Sequence, residues 1–240
     1  MDWELFTTTL AICICGGLLQ GISGFGFGIV VMSVLPLMMD IKQASPFVAL
    51  LTALICLAVL PSYWKNIRWN ECRIPLLALL IGLPIGIWGL ENLPKPLIMR
   101  LLGASLLAVC IQRALKQGKQ IFPRWIGAIC GLLSGLLSGA LNMGGPPMLL
   151  YLRGRPMPSA AFVATLHLLF TFSSCTRVGL AASAGLIDQT LLLKGILIVL
   201  PAAAAMLLGA RIRDKIPEAG FQRLLQIMLF VFGMYYLLKA

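Results

Sequence analysis

The sequence predicts an all-α integral membrane protein whose eight transmembrane helices form two parallel four-helix repeats, with helices one and five interrupted. Three observations support this fold class: the composition, the series of long apolar stretches, and the recurrence of the first half in the second. Of the 240 residues, 60% are hydrophobic and 11% are charged, whereas about one-quarter of the residues in a soluble domain are charged. The chain is therefore expected to lie within a membrane.

Charges and turn residues divide the chain into eight apolar stretches. Most of them have the roughly 17 to 25 residues that one helical crossing requires. The connections between them are short and leave no room for a sizeable soluble domain. The stretches lie near residues 5–39, 43–64, 74–90, 96–112, 125–152, 157–182, 190–209 and 220–238.

The second half of the chain repeats the first. "LLQGISGFG" at 18–26 corresponds to "LLSGLLSG" at 132–139, and "SPFVALL" at 45–51 corresponds to "AAFVATL" at 160–166. Four spans per half is an even number, so both halves should enter the membrane from the same side, which predicts parallel repeats. The predicted units are a first repeat at 1–115, a basic linker at 116–124 and a second repeat at 125–240.

The first and fifth stretches are too long for one straight helix. Residues 5–39 would form a helix of about 52 Å, against a hydrocarbon core of about 30 Å. Each stretch contains a Gly-rich interruption, "GISGFGFG" at 21–28 and "SGALNMGGPP" at 138–147. Backbone broken at membrane depth must be buried in protein or line a wet cavity. Interruptions at equivalent positions of two repeats therefore predict a central transport site, where the N–H groups of the following half-helix favour an anion.

Two other interpretations of the glycines differ in strength. A dinucleotide-binding fingerprint needs a preceding strand and a soluble βαβ unit, and neither fits this chain. Helix packing is the serious alternative, because small residues every four positions let membrane helices approach closely. We assign to packing the glycines with that spacing, Gly17, Gly21, Gly131, Gly135 and Gly139.

The sixth stretch carries the only histidine of the chain. On a helix, Thr171, Ser174 and Arg177 form a slanted polar stripe with His167. The repeat places Thr52 opposite His167, so the two could line a cavity together. His167 as a neutral hydrogen-bonding group between helices and Arg177 as a residue snorkelling to the headgroups remain alternatives. With no carboxylate in mid-span, His167 is the one candidate for a proton relay, and without it the chain would be a uniporter.

Several function classes are excluded. Seven cysteines, one histidine and eight acidic residues form no pattern for a metal site or a disulfide framework, and no cofactor is expected. The nineteen Lys and Arg residues are scattered in short loops, where they suit anionic lipid headgroups and not nucleic acid. An enzyme is not expected, because Ser174 and His167 are the only nucleophile and base in proximity and no acid orients them.

The orientation in the membrane stays open at this point. With four spans per half, ten Lys and Arg residues fall on the side of the N-terminus and nine on the other. The positive-inside rule requires a clear excess on one side. These counts therefore do not decide which side is cytoplasmic.

The sequence resembles the TauE/SafE family of membrane proteins, the sulfite exporters. The resemblance rests on the duplication, on "GGLLQGISGFGFGIV" at 16–30 with its counterpart "GLLSGLLSGALNMGGPPMLLYL" at 131–152, and on the "RLL" that begins at Arg100 and Arg223. It implies a multi-pass secondary transporter of the bacterial cytoplasmic membrane that moves small sulfur-containing or organic anions of the sulfite, sulfonate or sulfoacetate type. A permease for another small anion and an intramembrane accessory or assembly protein remain the alternatives.

The expected partners are a small anionic substrate and membrane lipid, with a homodimer left open. The candidate substrate-binding residues belong to the two interruptions, to the sixth stretch and to its counterpart in the first half. They are Ser23, Gly24, Phe25, Gly26, Gly28, Thr52, Ser138, Asn142, Met143, Gly144, Gly145, Pro146, His167, Thr171, Ser174 and Arg177.

Overall fold

The computed structural model describes residues 3–24, 26–114, 122–183, 189–212 and 218–239. Within these ranges the chain forms ten α-helices and no strand. Most of the predicted linker, residues 115–121, and Phe25 lie outside them. The helices are α1 (Trp3–Ser23), α2 (Phe27–Val34), α3 (Ile41–Tyr63), α4 (Trp69–Asn92), α5 (Lys95–Ala114), α6 (Arg124–Leu141), α7 (Gly145–Arg153), α8 (Ser159–Ser183), α9 (Gln189–Ile212) and α10 (Glu218–Lys239).

The prediction of an all-α membrane protein is confirmed for the described residues. Six helices are long and apolar enough to cross a membrane, namely α1, α3, α4, α6, α8 and α9. Phe27–Leu37, which joins α2 to a 3-10 turn, and Gln226–Lys239 in α10 are apolar but shorter. Length and hydropathy therefore identify six helices that could cross a membrane, and the count of eight crossings stays a prediction.

Both predicted interruptions are present, and at each of them the chain reverses direction. Ser134 in α6 donates its hydroxyl proton to the carbonyl oxygen of Gly144, just before α7. The N–H of Phe122 donates to the carbonyl oxygen of Gly154 at 3.0 Å, so α7 ends where α6 begins. Helix α2 likewise folds back along α1, because a Cβ on Gly16 would meet the side chains of Phe27 and Val31. Each pair is a helical hairpin, whereas the sequence predicted one broken crossing.

Two faces of the molecule can be defined from contacts between helix ends. At the first face Arg155, after α7, forms an ion pair with Glu71 at the start of α4, with Nε and Oε2 2.7 Å apart. At the second face Lys42 Nζ, at the start of α3, donates to the carbonyl oxygen of Glu91 at the end of α4, 2.7 Å away. We call the first the basic face and the second the Asp40 face, after the residue that precedes α3.

The prediction of parallel repeats is wrong, because corresponding helices run in opposite directions. The α1–α2 hairpin leads into α3 at the Asp40 face, so α1 starts from that face. The α6–α7 hairpin starts and ends at the basic face, where Phe122 meets Gly154. The reversal adds one helix to each half, so each half has five helices in place of four. An odd number turns the second half upside down relative to the first.

Close helix packing involves the glycines with four-residue spacing, as predicted. A Cβ on Gly135 in α6 would strike the carbonyl oxygen of Leu79 in α4, and one on Gly17 in α1 would strike that of Ala202 in α9. The same holds for Gly131 against Pro75 and for Gly21 against Met206. Helix α6 therefore lies in direct backbone contact with α4, and α1 with α9. These two contacts pack the hairpins against the other helices.

The observed helix directions divide the Lys and Arg residues unequally between the two faces. Helix ends at the basic face carry Lys65, Arg68, Arg73, Arg113, Arg124, Arg153, Arg155, Arg211 and Arg223. Segments 115–121 and 213–217 join helix ends at this face, and their sequences add Lys116, Lys119, Arg213 and Lys215. Helix ends at the Asp40 face carry Lys42, Lys95, Arg100, Lys194 and Lys239, and segment 184–188 adds none.

Candidate functional site

The tips of the two hairpins meet in the interior of the molecule. A Cβ on Gly28, at the start of α2, would approach the backbone oxygen and, at 3.0 Å, the side-chain nitrogen of Asn142 at the end of α6. Asn142 Nδ2 also donates a hydrogen bond to Thr52 Oγ1 of α3 at 3.0 Å. The two interruptions therefore form one site, to which α3 contributes from the side.

Asn142 ends α6 in the left-handed conformation, with φ 56°. Its N–H donates to the carbonyl oxygen of Ser138 and the N–H of Met143 donates to that of Leu137, at 3.0 and 3.2 Å. This is the hydrogen-bonding pattern of a helix that closes on a left-handed residue, and Asn is among the few side chains that tolerate it. The cap turns the chain back and directs the Asn142 side chain towards Thr52.

A small polar cavity lies between the two tips. Its volume is about 40 Å³, which suits a small number of water molecules. Within the described residues its wall has no charged side chain, so serine, threonine, asparagine and glutamine provide its polar groups. The wall consists of Gln20, Gly26, Gly28, Ile29, Thr52, Ser134, Ser138, Asn142, Met143, Gly144, Gly145, Phe170, Ser173 and Ser174.

The N-terminal ends of α2 and α7 both face this cavity. Gly26 precedes α2 and Gly28 lies in its first turn, while Gly144 and Gly145 begin α7, and all four line the wall. The first turn of a helix carries N–H groups without intrahelical partners and a partial positive charge. One of these groups, the N–H of Phe27, donates to Gln20 Oε1 at 3.0 Å. Two partly positive helix ends thus meet at a cavity whose described lining residues include no carboxylate.

Part of the predicted polar stripe on α8 reaches the cavity. Ser174 lines it, and its neighbour Ser173 shares a hydrogen bond of 2.6 Å with Ser138 of α6. His167 lies away from the wall, fully buried and stacked on Tyr63 with ring centroids 4.7 Å apart. Neither ring nitrogen of His167 has a hydrogen-bond partner within the described residues. The Thr171 hydroxyl donates to the carbonyl oxygen of His167 at 2.8 Å and is thereby engaged within the helix.

Arg177 is buried in the protein and does not snorkel to the headgroups, with 1% of its surface exposed. Its Nε donates to the carbonyl oxygen of Gly139 at 3.1 Å, and its NH2 group donates to Ser45 Oγ. Ser45 Oγ in turn donates to the carbonyl oxygen of Ala140 at 2.8 Å. Arg177 therefore contacts the C-terminal turn of α6, where a positive charge complements the helix dipole. It lies about one helical turn beyond Ser174 on α8.

The structure brings together nine of the sixteen predicted site residues. Six others lie outside the wall, although Arg177 hydrogen-bonds Gly139, the neighbour of Ser138 in α6. The nine are Gly26, Gly28, Thr52, Ser138, Asn142, Met143, Gly144, Gly145 and Ser174. The six are Ser23, Gly24, Pro146, His167, Thr171 and Arg177, and Phe25 is outside the described residues.

Sequence reasoning missed five residues of the wall, Gln20, Ile29, Ser134, Phe170 and Ser173. For two of them the sequence contains a pattern that could have identified them. Gln20 and Ser134 occupy the same position in "LLQG" and "LLSG", and each is a polar residue in an apolar helix. Both perform the same task, because Gln20 hydrogen-bonds the start of α2 and Ser134 hydrogen-bonds Gly144 before α7. Ile29 and Phe170 are apolar and carried no such signal.

Comparison with known proteins adds a family and two relatives. The family described as "Sulfite exporter TauE/SafE" matches residues 9–236. A protein of Cupriavidus necator named "Probable sulfite/organosulfonate exporter TauE" is 27% identical over 215 residues, which cover 87% of this chain and 84% of that protein. The "Probable inner membrane transporter protein TsaS" of Comamonas testosteroni is 26% identical over 175 residues, or 71% of this chain and 73% of the relative. No solved structure matches the chain significantly.

Proposed function

Because the chain belongs to the TauE/SafE family of sulfite exporters, we propose that it moves a small sulfur-containing or organic anion across the cytoplasmic membrane. The substrate binds between the hairpin tips, in the cavity that Asn142, Thr52 and the first turns of α2 and α7 surround. The names of both relatives, an exporter and an inner membrane transporter, support transport. The single observation that carries the proposal is the meeting of two helix N-termini at one polar cavity.

The composition of the wall supports an anion as the substrate. A carboxylate, a ring of carbonyl oxygens or a cluster of thiolates and imidazoles would indicate a cation or a metal. Here the side chains in the wall are neutral, and the N-terminal ends of α2 and α7 add partial positive charge. Glycines at both helix starts allow an oxygen atom of the ligand to approach backbone N–H groups, because no Cβ intervenes.

The repeat arrangement supports alternating access. Two halves of opposite direction form an inverted-topology repeat, with the substrate site at the interface between the repeats. The cavity of about 40 Å³ has room for a few water molecules or a ligand of a few non-hydrogen atoms. In this mechanism the same site opens towards one face and then towards the other.

The test is anion affinity measured on folded, monodisperse protein with Asn142→Asp. The substitution removes the amide donor and adds a negative charge next to the bound anion, which costs about 4 kcal/mol for two charges 4 Å apart at an effective dielectric constant of 20. We therefore expect affinity for sulfite or a small sulfonate to fall at least about tenfold. Asn92→Asp is the matched control, because Asn92 also donates through its amide, to the carbonyl oxygen of Trp88, but at an exposed helix end.

Four outcomes can be distinguished. Weaker binding in Asn142→Asp with unchanged binding in Asn92→Asp supports the central site. Equal affinity in both variants rejects it. If wild-type protein binds carboxylates or inorganic anions but no sulfur compound, the protein is a permease for another small anion, and if it binds none of them an accessory role is favoured.

A further inference from the structure

The corrected topology produces a strong asymmetry of positive charge between the two faces. Helix ends at the basic face carry nine of the Lys and Arg residues named above, and the two segments joined to them add four. Helix ends at the Asp40 face carry five. Arg177 belongs to neither group because it is buried beside α6. The near-equal division that the sequence suggested was a consequence of counting each hairpin as one crossing.

An asymmetry of this size determines orientation by the positive-inside rule, which counts Lys and Arg near the ends of transmembrane segments and in short loops. Exposed tryptophans are found towards both faces, with Trp64, Trp69 and Trp125 near the basic face and Trp3 and Trp88 near the Asp40 face. Such side chains favour the level of the lipid headgroups. The Lys and Arg residues of the basic face therefore lie at the membrane–water boundary. By the positive-inside rule, this boundary is the cytoplasmic one.

The basic face also contains an open recess of about 390 Å³ between the start of α4 and the start of α6. Arg68 and Arg124 line it, together with Trp69, Asn70 and Glu71. The charge of Glu71 is already engaged, because Arg155 holds both carboxylate oxygens at 2.7 and 2.9 Å. The two arginines of the recess therefore exceed the negative charge that lines it.

The recess and the substrate site both lie next to α8. The backbone N–H of Arg68 donates to Thr165 Oγ1 at 3.1 Å, and Thr165 lies one turn and a half before Phe170, which lines the central cavity. The stack of Tyr63 on His167 lies between these two levels of α8. The order along α8 is therefore the recess, the Tyr63–His167 stack and the central cavity. An anion that moves from the recess to the central cavity would pass this stack.

We infer that the basic face lies in the cytoplasm and that the recess between Arg68 and Arg124 is the first binding site for a cytoplasmic anion on its way to the central cavity. The second part rests on the proposed function, whereas the orientation does not. The ligand is a small oxyanion, a sulfite or sulfonate group, and a lipid phosphate shares that chemistry. The start of α1 and the end of α10 then lie on the outer side of the membrane.

Orientation is tested with single introduced cysteines and a membrane-impermeant maleimide. The background is full-length protein in which exposed Cys15 and partly exposed Cys110 and Cys175 are replaced by Ser, while the other four natural cysteines are buried. Lys65→Cys reports the basic face and Asn92→Cys the Asp40 face, and both positions are exposed. We expect intact cells to be labelled at residue 92 alone, and inverted vesicles at residue 65 alone. The reverse pattern would overturn the inference, whatever the protein transports.

The recess is tested by transport into inverted vesicles and reconstituted liposomes, with sulfite and a small sulfonate as probes. Charge-lined sites raise the rate of association by a factor of 10 or more, so Arg68→Gln with Arg124→Gln should raise KM about tenfold at unchanged kcat. Arg73→Gln is the control, because Arg73 is exposed on the same face and does not line the recess. An equal effect of Arg73→Gln would attribute the loss to surface charge and reject the recess.

A further transport experiment tests whether the recess binds a lipid phosphate in place of the substrate. If the recess binds the substrate anion, KM should differ between wild type and the double variant even in liposomes that contain only zwitterionic lipid. If that difference appears only when anionic lipid is added, the recess binds a headgroup and the inference for the substrate fails. If wild-type protein transports no probe while the cysteine pattern holds, the proposed function fails and the orientation stands.

Discussion

Asn142 Nδ2 and Thr52 Oγ1 are 3.0 Å apart, and this bond joins the tip of the second hairpin to a helix of the first half. Thr52 accepts the bond from Asn142 while its hydroxyl donates to the carbonyl oxygen of Val48 at 2.7 Å. Both side chains are almost completely buried and line the central cavity. The pair therefore links the second hairpin to α3 and supplies two of the polar groups of the cavity.

Thr52→Val should lower the stability of the folded protein. The substitution removes the acceptor for Asn142 Nδ2 and leaves a buried amide N–H without its partner, which costs about 1–3 kcal/mol. Thermal unfolding in detergent should show a lower melting temperature, whereas Thr52→Ser, which keeps the hydroxyl, should remain close to wild type. Equal melting temperatures for Thr52→Val and wild type would mean that water replaces the threonine.

Gly145→Val should abolish anion binding with little loss of stability. Gly145 lines the cavity, and a Cβ there meets only the Phe170 ring, at 3.4 Å. The two further methyl groups of valine would occupy a large part of the cavity. Gly179→Val is the control, because a Cβ at Gly179 meets nothing within 4 Å. If Gly145→Val unfolds the protein and leaves the binding of the folded fraction intact, this glycine serves packing instead.

Arg177→Lys should lower stability and leave affinity at the central cavity unchanged. The compact ammonium keeps the buried charge but cannot donate to Gly139 and Ser45 together as the planar guanidinium does. The lost bond costs about 1–3 kcal/mol, measurable as a lower melting temperature. An unchanged melting temperature with lost anion affinity would assign Arg177 to substrate binding after all.

His167→Phe should preserve folding, transport and the pH dependence of transport. The phenyl ring can keep the stack on Tyr63, and similar ring volumes make the expected change in stability less than about 1.5 kcal/mol. No hydrogen-bond partner is lost among the described residues, because the imidazole nitrogens have none. A transport rate that loses its pH dependence in this variant would identify His167 as a proton relay.

Asp40→Asn should lower stability at neutral pH and have little effect in acid. The Lys95 ammonium, 2.9 Å away, and the backbone N–H of Lys42 lower the pKa of Asp40. A lowered pKa means that the carboxylate stabilises the fold above its unfolded pKa of about 3.9, and that this contribution disappears as the pH falls through the folded value. Melting temperatures of the two proteins should differ at pH 7, and the difference should shrink as the pH falls below about 3.9. A difference that stays constant through this acid range would point to the helix cap and not to the charge.

The sequence alone determined the membrane class, the duplication, the family resemblance and the position of the two interruptions. Each of these depends on composition or on local pattern. Long apolar stretches and glycine clusters can be recognised without knowledge of contacts between residues distant in sequence. It also placed Gly28, Thr52, Asn142 and Gly145 in the site, because they lie in or opposite the interruptions.

Only the tertiary structure decided the direction of the chain after each interruption. A glycine cluster permits both a kink and a reversal, and the choice depends on contacts distant in sequence, such as Phe122 with Gly154 and Ser134 with Gly144. That choice changes the number of helices per half from even to odd and therefore the relative direction of the repeats. It also separates His167 from the cavity, because the packing of α3 against α8 pairs its ring with Tyr63.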